Sequence, residues 1–352
     1  MSEPASRTLH RHAISASAGE PRDLVSPADF DLVFEALLAP EQMPPAAIAY
    51  CADFASERLL YTVLPEHLLA QALNAAFLYS AQLQLAGSVV SVPFERLADM
   101  NLPADPAPVL IFSPGRTGST LLSRLLNAVG RRCASEPDFP TQFACLDEPG
   151  RARLGEALER QVLRAGLCSL VSVLGQGACI KLRSQCNARP DLLLAALPKA
   201  RPVFMFRRHA AWAMSRHRAF GEPPDMVADI LRTAVVAVDR LTAAGRPPKI
   251  VWFEDLLRDP AAFLADLLQD RRLMQASMRP LVAAVLARDS QAGTSLDRDA
   301  VRSRDIDQAF LAGFDAEWAE RRPTHHLGSR LAGLLARLEQ PGPDEAADAA
   351  PI

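Results

Sequence analysis

The sequence has no Cys-x-x-Cys pair, and no nearby histidines complete a zinc pattern with its six cysteines: Cys51, Cys133, Cys145, Cys168, Cys179 and Cys186. Reduced, mostly buried thiols of a cytoplasmic protein are therefore expected, rather than a disulfide framework. The first 23 residues lack an apolar core segment and do not read as a secretory signal. No apolar run is long enough to cross a bilayer, so no transmembrane segment is expected. Excess positive charge is also missing. The net charge is −3, so the global field does not favour nucleic acid or an anionic membrane. An anionic ligand would need a local cluster of donors. What the 352 residues do contain is 49% hydrophobic side chains, ordinary for a globular chain of one large or two smaller domains. There is no internal repeat.

Composition along the chain suggests four parts. Residues 1–24 are small and polar and read as a disordered arm. Residues 25–102 read as an all-helical N-terminal region. It would begin at Ser26-Pro27, a capping hydroxyl followed by a first-turn proline. Apolar residues then recur at three and four, as in Phe30, Val33, Phe34 and Leu37, and again in Leu68, Leu69, Ala72 and Leu73. Residues 103–340 change character after the proline-rich Pro103–Pro106 link. Apolar runs at Val109–Phe112, Ala178–Leu182, Pro202–Phe206 and Lys249–Phe253 alternate with helical patterns at Leu154–Leu174 and Met226–Ala243. That alternation predicts an α/β fold: a parallel sheet in three layers, covered by helices on both faces. Ligands of such sheets bind beyond the carboxyl ends of the strands. Residues 341–352 read as a disordered tail.

The chemistry starts at Ser113-Pro-Gly-Arg-Thr-Gly-Ser-Thr120, directly after the Val109–Phe112 run and before an amphipathic Leu121–Leu126 segment. Strand, glycine turn and helix start are the parts of a phosphate cradle, in which backbone N–H groups and the helix dipole converge on an anion. Gly115 and Gly118 permit close backbone approach. The hydroxyls of Thr117, Ser119 and Thr120 add donors. This is not a Walker A loop, because Ser119 stands where its lysine would be. The positive charge is Arg116, whose guanidinium can fork onto phosphate or sulfate oxygens without a metal.

Gly-Arg-Thr-Gly-Ser-Thr-Leu-Leu resembles the P-loop of sulfotransferases that use 3'-phosphoadenosine 5'-phosphosulfate (PAPS), especially bacterial and carbohydrate-type members with R-[ST]-G-[ST]-T-L. The resemblance covers roughly Val109 to Pro260. It implies PAPS as co-substrate, held through its 5'-phosphosulfate by Gly115–Thr120. It also implies in-line, metal-independent transfer of the sulfuryl group to an acceptor hydroxyl or amine. The 3'-phosphate needs a second anion site, and Arg207 and Ser215 match the family's strand-end arginine and helix serine. Arg208 and His209 replace the commoner Asp-Pro there, which leaves open which arginine touches phosphate. Trp252-Phe-Glu-Asp-Leu-Leu-Arg-Asp-Pro260 resembles a Y-E-D-L-x-x-D-P run of structural role, and Ser290–Thr294 is a candidate closing loop.

The same resemblance assigns the catalytic roles. Arg116 would stabilise charge on the bridging oxygen. One branch of the family places a histidine base in a K-T-H-like run, but Ile180-Lys-Leu-Arg-Ser184 keeps only the lysine, so Lys181 is assigned to holding the sulfate. The branch with a glutamate base matches Cys133-Ala-Ser-Glu-Pro-Asp-Phe139 and makes Glu136 the candidate base, with Asp138 in reserve. The bland reading has Glu136 capping a helix or pairing with Arg131 or Arg132. His325-His326 reads as a surface pair rather than a metal site. The acceptor, whether small molecule, carbohydrate or lipid, is not specified. The N-terminal helices are expected to shape its pocket or a homodimer contact. A magnesium-dependent small-molecule kinase and a non-catalytic nucleotide-binding module are the alternatives.

Overall fold

The structure is a computed structural model that describes residues 8–19, 24–100, 103, 106–275, 278–288, 308–323 and 329–340. Residues 1–7 of the expected arm, the 341–352 tail, Ser290–Thr294 and His325-His326 lie outside the described residues.

The N-terminal region corrects the all-helical expectation. Five strands, β1 (Leu9–Ser17), β2 (Phe30–Leu38), β3 (Ala47–Asp53), β4 (Arg58–Val63) and β5 (Ser88–Pro93), form an antiparallel sheet in the order β2-β1-β5-β4-β3. β1 lies within the expected disordered arm, yet it is hydrogen-bonded on both sides, to β2 and to β5. The Ser26 cap exists, since its hydroxyl accepts from Ala28 N at 3.1 Å and its own N–H donates to Asp29 at 2.8 Å. It starts only the 3-10 turn Pro27–Asp29. The helical spacing after it comes from a β-bulge. Arg11 opposes Ala36 and His12 opposes Phe34, so Glu35 is an extra residue in the ladder. The bulge puts Phe34 and Leu37, three apart, on one face opposite His12 and His10. Val33, Phe34 and Leu37 remain about half exposed, at 55%, 54% and 55%, so they never formed a buried helical stripe. The later pattern is helical: Glu66–Leu73 and Leu78–Leu85 connect β4 to β5.

The expected parallel sheet is present. Its strands are β6 (Val109–Phe112), β7 (Cys133–Ser135), β8 (Cys179–Lys181), β9 (Arg201–Phe206) and β10 (Lys249–Trp252), in the order β10-β9-β6-β8-β7. The apolar runs anticipated β6, β8, β9 and β10. The three-residue β7 had no signal of its own. Helix Glu156–Leu174 starts two residues inside the helical pattern read from the sequence, and helix Pro224–Ala243 starts two residues before its pattern; both end where expected.

The chain divides into two compact units. One comprises Met1–Leu110 and Arg132–Arg201, the other Ile111–Arg131 and Pro202–Ile352. In the first unit, edge strand β3 is closed by side chains instead of another strand. Gln142 accepts from Ala52 N at 2.7 Å and donates to Val25 O at 3.0 Å, while Ser169 Oγ accepts from Ala49 N at 3.1 Å. Satisfying those buried backbone groups avoids a desolvation penalty of about 1–3 kcal/mol each. Tyr50, Leu60, Leu83 and Val89 belong to the core on this sheet. In the second unit, Phe310, Phe314 and Trp318 of helix Gln308–Arg321 are buried, and Phe314 meets Trp212 edge-on at 6.2 Å.

Candidate anion site and carboxylate cluster

In the second unit β6 runs into a turn that opens helix Ser119–Ala128. Gly115 and Gly118 both have φ of 77°. Only glycine fits at 118. A Cβ there would lie 2.3 Å from Phe253 Cδ2, besides needing the left-handed backbone. Between the glycines, Arg116 has φ of 54°. Among the described residues, the other positive-φ residues that carry a side chain are Glu57, Glu136 and Gln269. Gln269 ends a helix and Glu57 sits in the β3–β4 turn, ordinary places for that conformation. Arg116 and Glu136 lie just past strand ends instead, where strain of order 1–3 kcal/mol is a mark of functional loops.

The turn is held from within and from outside. Ser113 Oγ accepts from Gly115 N at 3.3 Å and lies 3.3 Å from Ser119 Oγ. Ser119 and Thr120 are buried at the helix start. Thr117 is fully buried, and its hydroxyl has no hydrogen-bond partner among the described residues. Buried hydroxyls are almost always paired, so this one fits a loop built to receive a further acceptor. Helix His209–Phe220, which follows β9, presents three side chains to the turn. Arg116 Nε donates to Ser215 Oγ at 3.4 Å, Trp212 Nε1 donates to Gly115 O at 2.7 Å, and Arg216 Nη1 donates to Pro114 O at 2.9 Å.

The structure thus brings together two segments that lie almost a hundred residues apart in the chain. Ser215, expected beside Arg207, accepts a hydrogen bond from Arg116 instead. The Arg207 guanidinium lies over the Phe253 ring, 5.1 Å from its centroid. That same ring excludes a Cβ at Gly118, so Phe253 contacts both the turn and the arginine. Arg208 N donates to Glu254 at 3.0 Å. Pro260 opens helix Pro260–Leu268 as expected. Phe253, Trp212 and Arg216 were not anticipated. The spacing of Trp212 and Arg216 around Ser215, all on one helix face, was the available signal.

In the first unit, β7 and β8 are parallel with Ser135 opposite Lys181. Glu136 follows Ser135, and its N–H donates to Lys181 O at 2.7 Å. The Lys181 ammonium forms an ion pair with the Glu136 carboxylate. The candidate base is therefore paired with Lys181, one of the two other residues assigned to catalysis. It is not paired with Arg131, which bonds Asp270, or with Arg132, which donates to Val173 O.

Asp138 is a strut. Arg183 donates to one oxygen at 2.6 Å and Val25 N to the other at 2.9 Å, and the residue is buried. That leaves it poorly suited to abstract a proton. Arg183 lies 5.2 Å from the Tyr79 ring centroid. Burial opposes its charge, but Asp138 and then Glu136 hold its pKa above the usual value. Burial, reinforced by the Glu136 charge, pushes the Tyr79 hydroxyl up to about 12. Two carboxylates, two cations and one neutral phenol thus form a charge-balanced cluster. All six cysteines are free thiols, with Cys145 exposed and the others buried. Among the described residues, no helix is long and apolar enough to cross a membrane.

No protein-family model and no curated protein matches this chain. Solved structures do, among them three sulfotransferases. The sulfotransferase domain of the Synechococcus PCC 7002 olefin synthase is 19% identical, with a TM-score of 0.37 over 67% of this chain and 98% of that one. A sulfotransferase from Mycobacterium avium is 14% identical, with a TM-score of 0.38 over 72% and 84%. A sulfotransferase from Alicyclobacillus acidocaldarius is 16% identical, with a TM-score of 0.35 over 67% and 97%. All three TM-scores lie below 0.5, so the functional reading rests on this chain's own residues.

Proposed function

We propose that this chain is a sulfotransferase that takes the sulfuryl group from PAPS and passes it to an acceptor hydroxyl or amine without a metal. The observation that carries the reading is the Arg116–Ser215 hydrogen bond. It joins the glycine turn to the helix after β9, two segments whose sequences match the family separately.

In this reading the backbone N–H groups of Gly115–Thr120 and the hydroxyls of Thr117, Ser119 and Thr120 hold the 5'-phosphosulfate. The buried Thr117 hydroxyl, with no partner among the described residues, supports that assignment. Arg207, with Ser215 and the neighbouring Arg208, takes the 3'-phosphate. Glu136 accepts the acceptor's proton as the acceptor's oxygen or nitrogen bonds to sulfur. The bond from sulfur to the bridging oxygen breaks, and 3'-phosphoadenosine 5'-phosphate (PAP) leaves. Arg116 offsets the charge growing on that bridging oxygen. Lys181 balances Glu136 in the resting state and is assigned to the sulfate during transfer. A kinase reading would need a lysine where Ser119 stands.

A thermal-shift comparison tests the reading, because a ligand that binds only the folded state raises its melting point. PAP without magnesium should stabilise the protein, and ATP with magnesium should do so far less. The reverse order would support the kinase.

A further inference from the structure

We propose that Trp212 and Arg216 are positioning residues of the glycine turn: from one helix face they anchor the Pro114 and Gly115 carbonyls and thereby aim the loop's N–H groups at the bound anion. The proposal rests on the donor-binding reading above and deepens it.

The argument is geometric. A trans peptide is planar, and its C=O and N–H point in opposite directions. Whatever holds a carbonyl therefore sets the direction of the next residue's N–H. The Trp212 indole N–H holds Gly115 O at 2.7 Å, and this directs the Arg116 N–H away from the helix. Arg216 holds Pro114 O at 2.9 Å and so fixes the preceding peptide, whose Gly115 N–H donates within the turn to Ser113 Oγ at 3.3 Å. An anion-binding turn needs its N–H groups oriented before the ligand arrives, since reorientation would cost binding energy.

Both anchors are themselves fixed. Trp212 is fully buried and packed on Phe314. Arg216 is 7% exposed, and its second nitrogen donates to Glu222 at 2.6 Å. Ser215 lies between them in sequence and holds the Arg116 side chain. Positions 212, 215 and 216 share one face of the helix. That face therefore sets both the backbone and the side chain of the loop, in a conformation that Arg116 adopts with a positive φ. A buried indole N–H needs an acceptor, and here that acceptor is the Gly115 carbonyl of the turn.

The test measures PAP affinity by calorimetry in Trp212→Phe, with Trp318→Phe as control. Trp318 is also buried and also donates its indole N–H, but to Glu339 at 3.2 Å. Both variants should lose some thermal stability. Only Trp212→Phe should weaken PAP, by about tenfold, roughly the worth of one charge-assisted hydrogen bond. Replacing Trp212 by 3-benzothienylalanine, which keeps the ring shape and removes the N–H, should weaken PAP equally with less loss of stability. Arg216→Lys, which lacks the guanidinium fork that reaches Pro114 and Glu222 from separate nitrogens, should raise the donor KM and leave the acceptor KM unchanged. Unchanged PAP affinity in both Trp212 variants would overturn the proposal. If wild-type protein ignores PAP, the transferase reading fails on its own, and inorganic pyrophosphate becomes the probe. Pyrophosphate binding that weakens in Trp212→Phe would still support the anchoring role. Pyrophosphate binding that is absent from wild type, or equal in the two, would refute it.

Discussion

Replacing Arg116 by glycine and by alanine, side by side, tests the idea that this loop stores strain. Both variants lose the guanidinium and its bond to Ser215, so those losses cancel in the comparison. They differ only in the Cβ. At an ordinary φ alanine is the more stable, by about 0.4–1 kcal/mol, because glycine loses more chain entropy on folding. At φ of 54° a Cβ costs about 1–2 kcal/mol, against about 0.5–1 kcal/mol of glycine entropy. The sign should therefore reverse, with Arg116→Gly more stable than Arg116→Ala by about 0.5–1 kcal/mol. Urea unfolding at equal slope reads this as a midpoint about 0.2–0.5 M higher for glycine, taking a slope of a few kcal/mol/M. Both variants should lose sulfuryl transfer. An alanine variant as stable as the glycine variant, or more so, would mean that the loop is not held in the left-handed conformation, and the strain argument would fail.

Three further outcomes follow from the same geometry. Gly118→Ala should cost at least about 2 kcal/mol through backbone strain and the clash with Phe253, and Gly118→Ala/Phe253→Ala should recover part of it in the same urea assay. Lys181→Met leaves a mostly buried carboxylate without its cation and should destabilise by about 3 kcal/mol; the double variant Lys181→Met/Glu136→Gln should be clearly more stable than Lys181→Met alone. Stability should also fall as pH rises from 10 toward 12. In that window unfolded tyrosines release protons while Tyr79, held up to about 12, keeps its own. The Tyr79→Phe variant should lose less stability across that range, and urea midpoints at pH 10 and 11.5 would detect the difference.

Much of the parallel sheet was legible because its strands are continuous apolar runs, which a doubly covered sheet requires. The glycine turn was legible for a similar reason. Its backbone conformation restricts the residues it can use, so Gly115 and Gly118 mark it directly. The N-terminal sheet was not legible. A bulge at Glu35 gave β2 the three-residue spacing of a helix, and edge exposure of Val33 and Phe34 removed the alternation that would have marked a strand.

Local chemistry along the chain thus determined the glycine turn, the strand before it and the arginine after β9, because each depends on neighbours within a few residues. Only the tertiary structure decided that Ser215 holds Arg116, that Phe253 contacts both Gly118 and Arg207, that Lys181 pairs with Glu136 and that Asp138 is a strut. Those contacts join residues 45 to about 135 positions apart. Their partners are chosen by packing and by the pairing of buried charge, which no local spacing encodes.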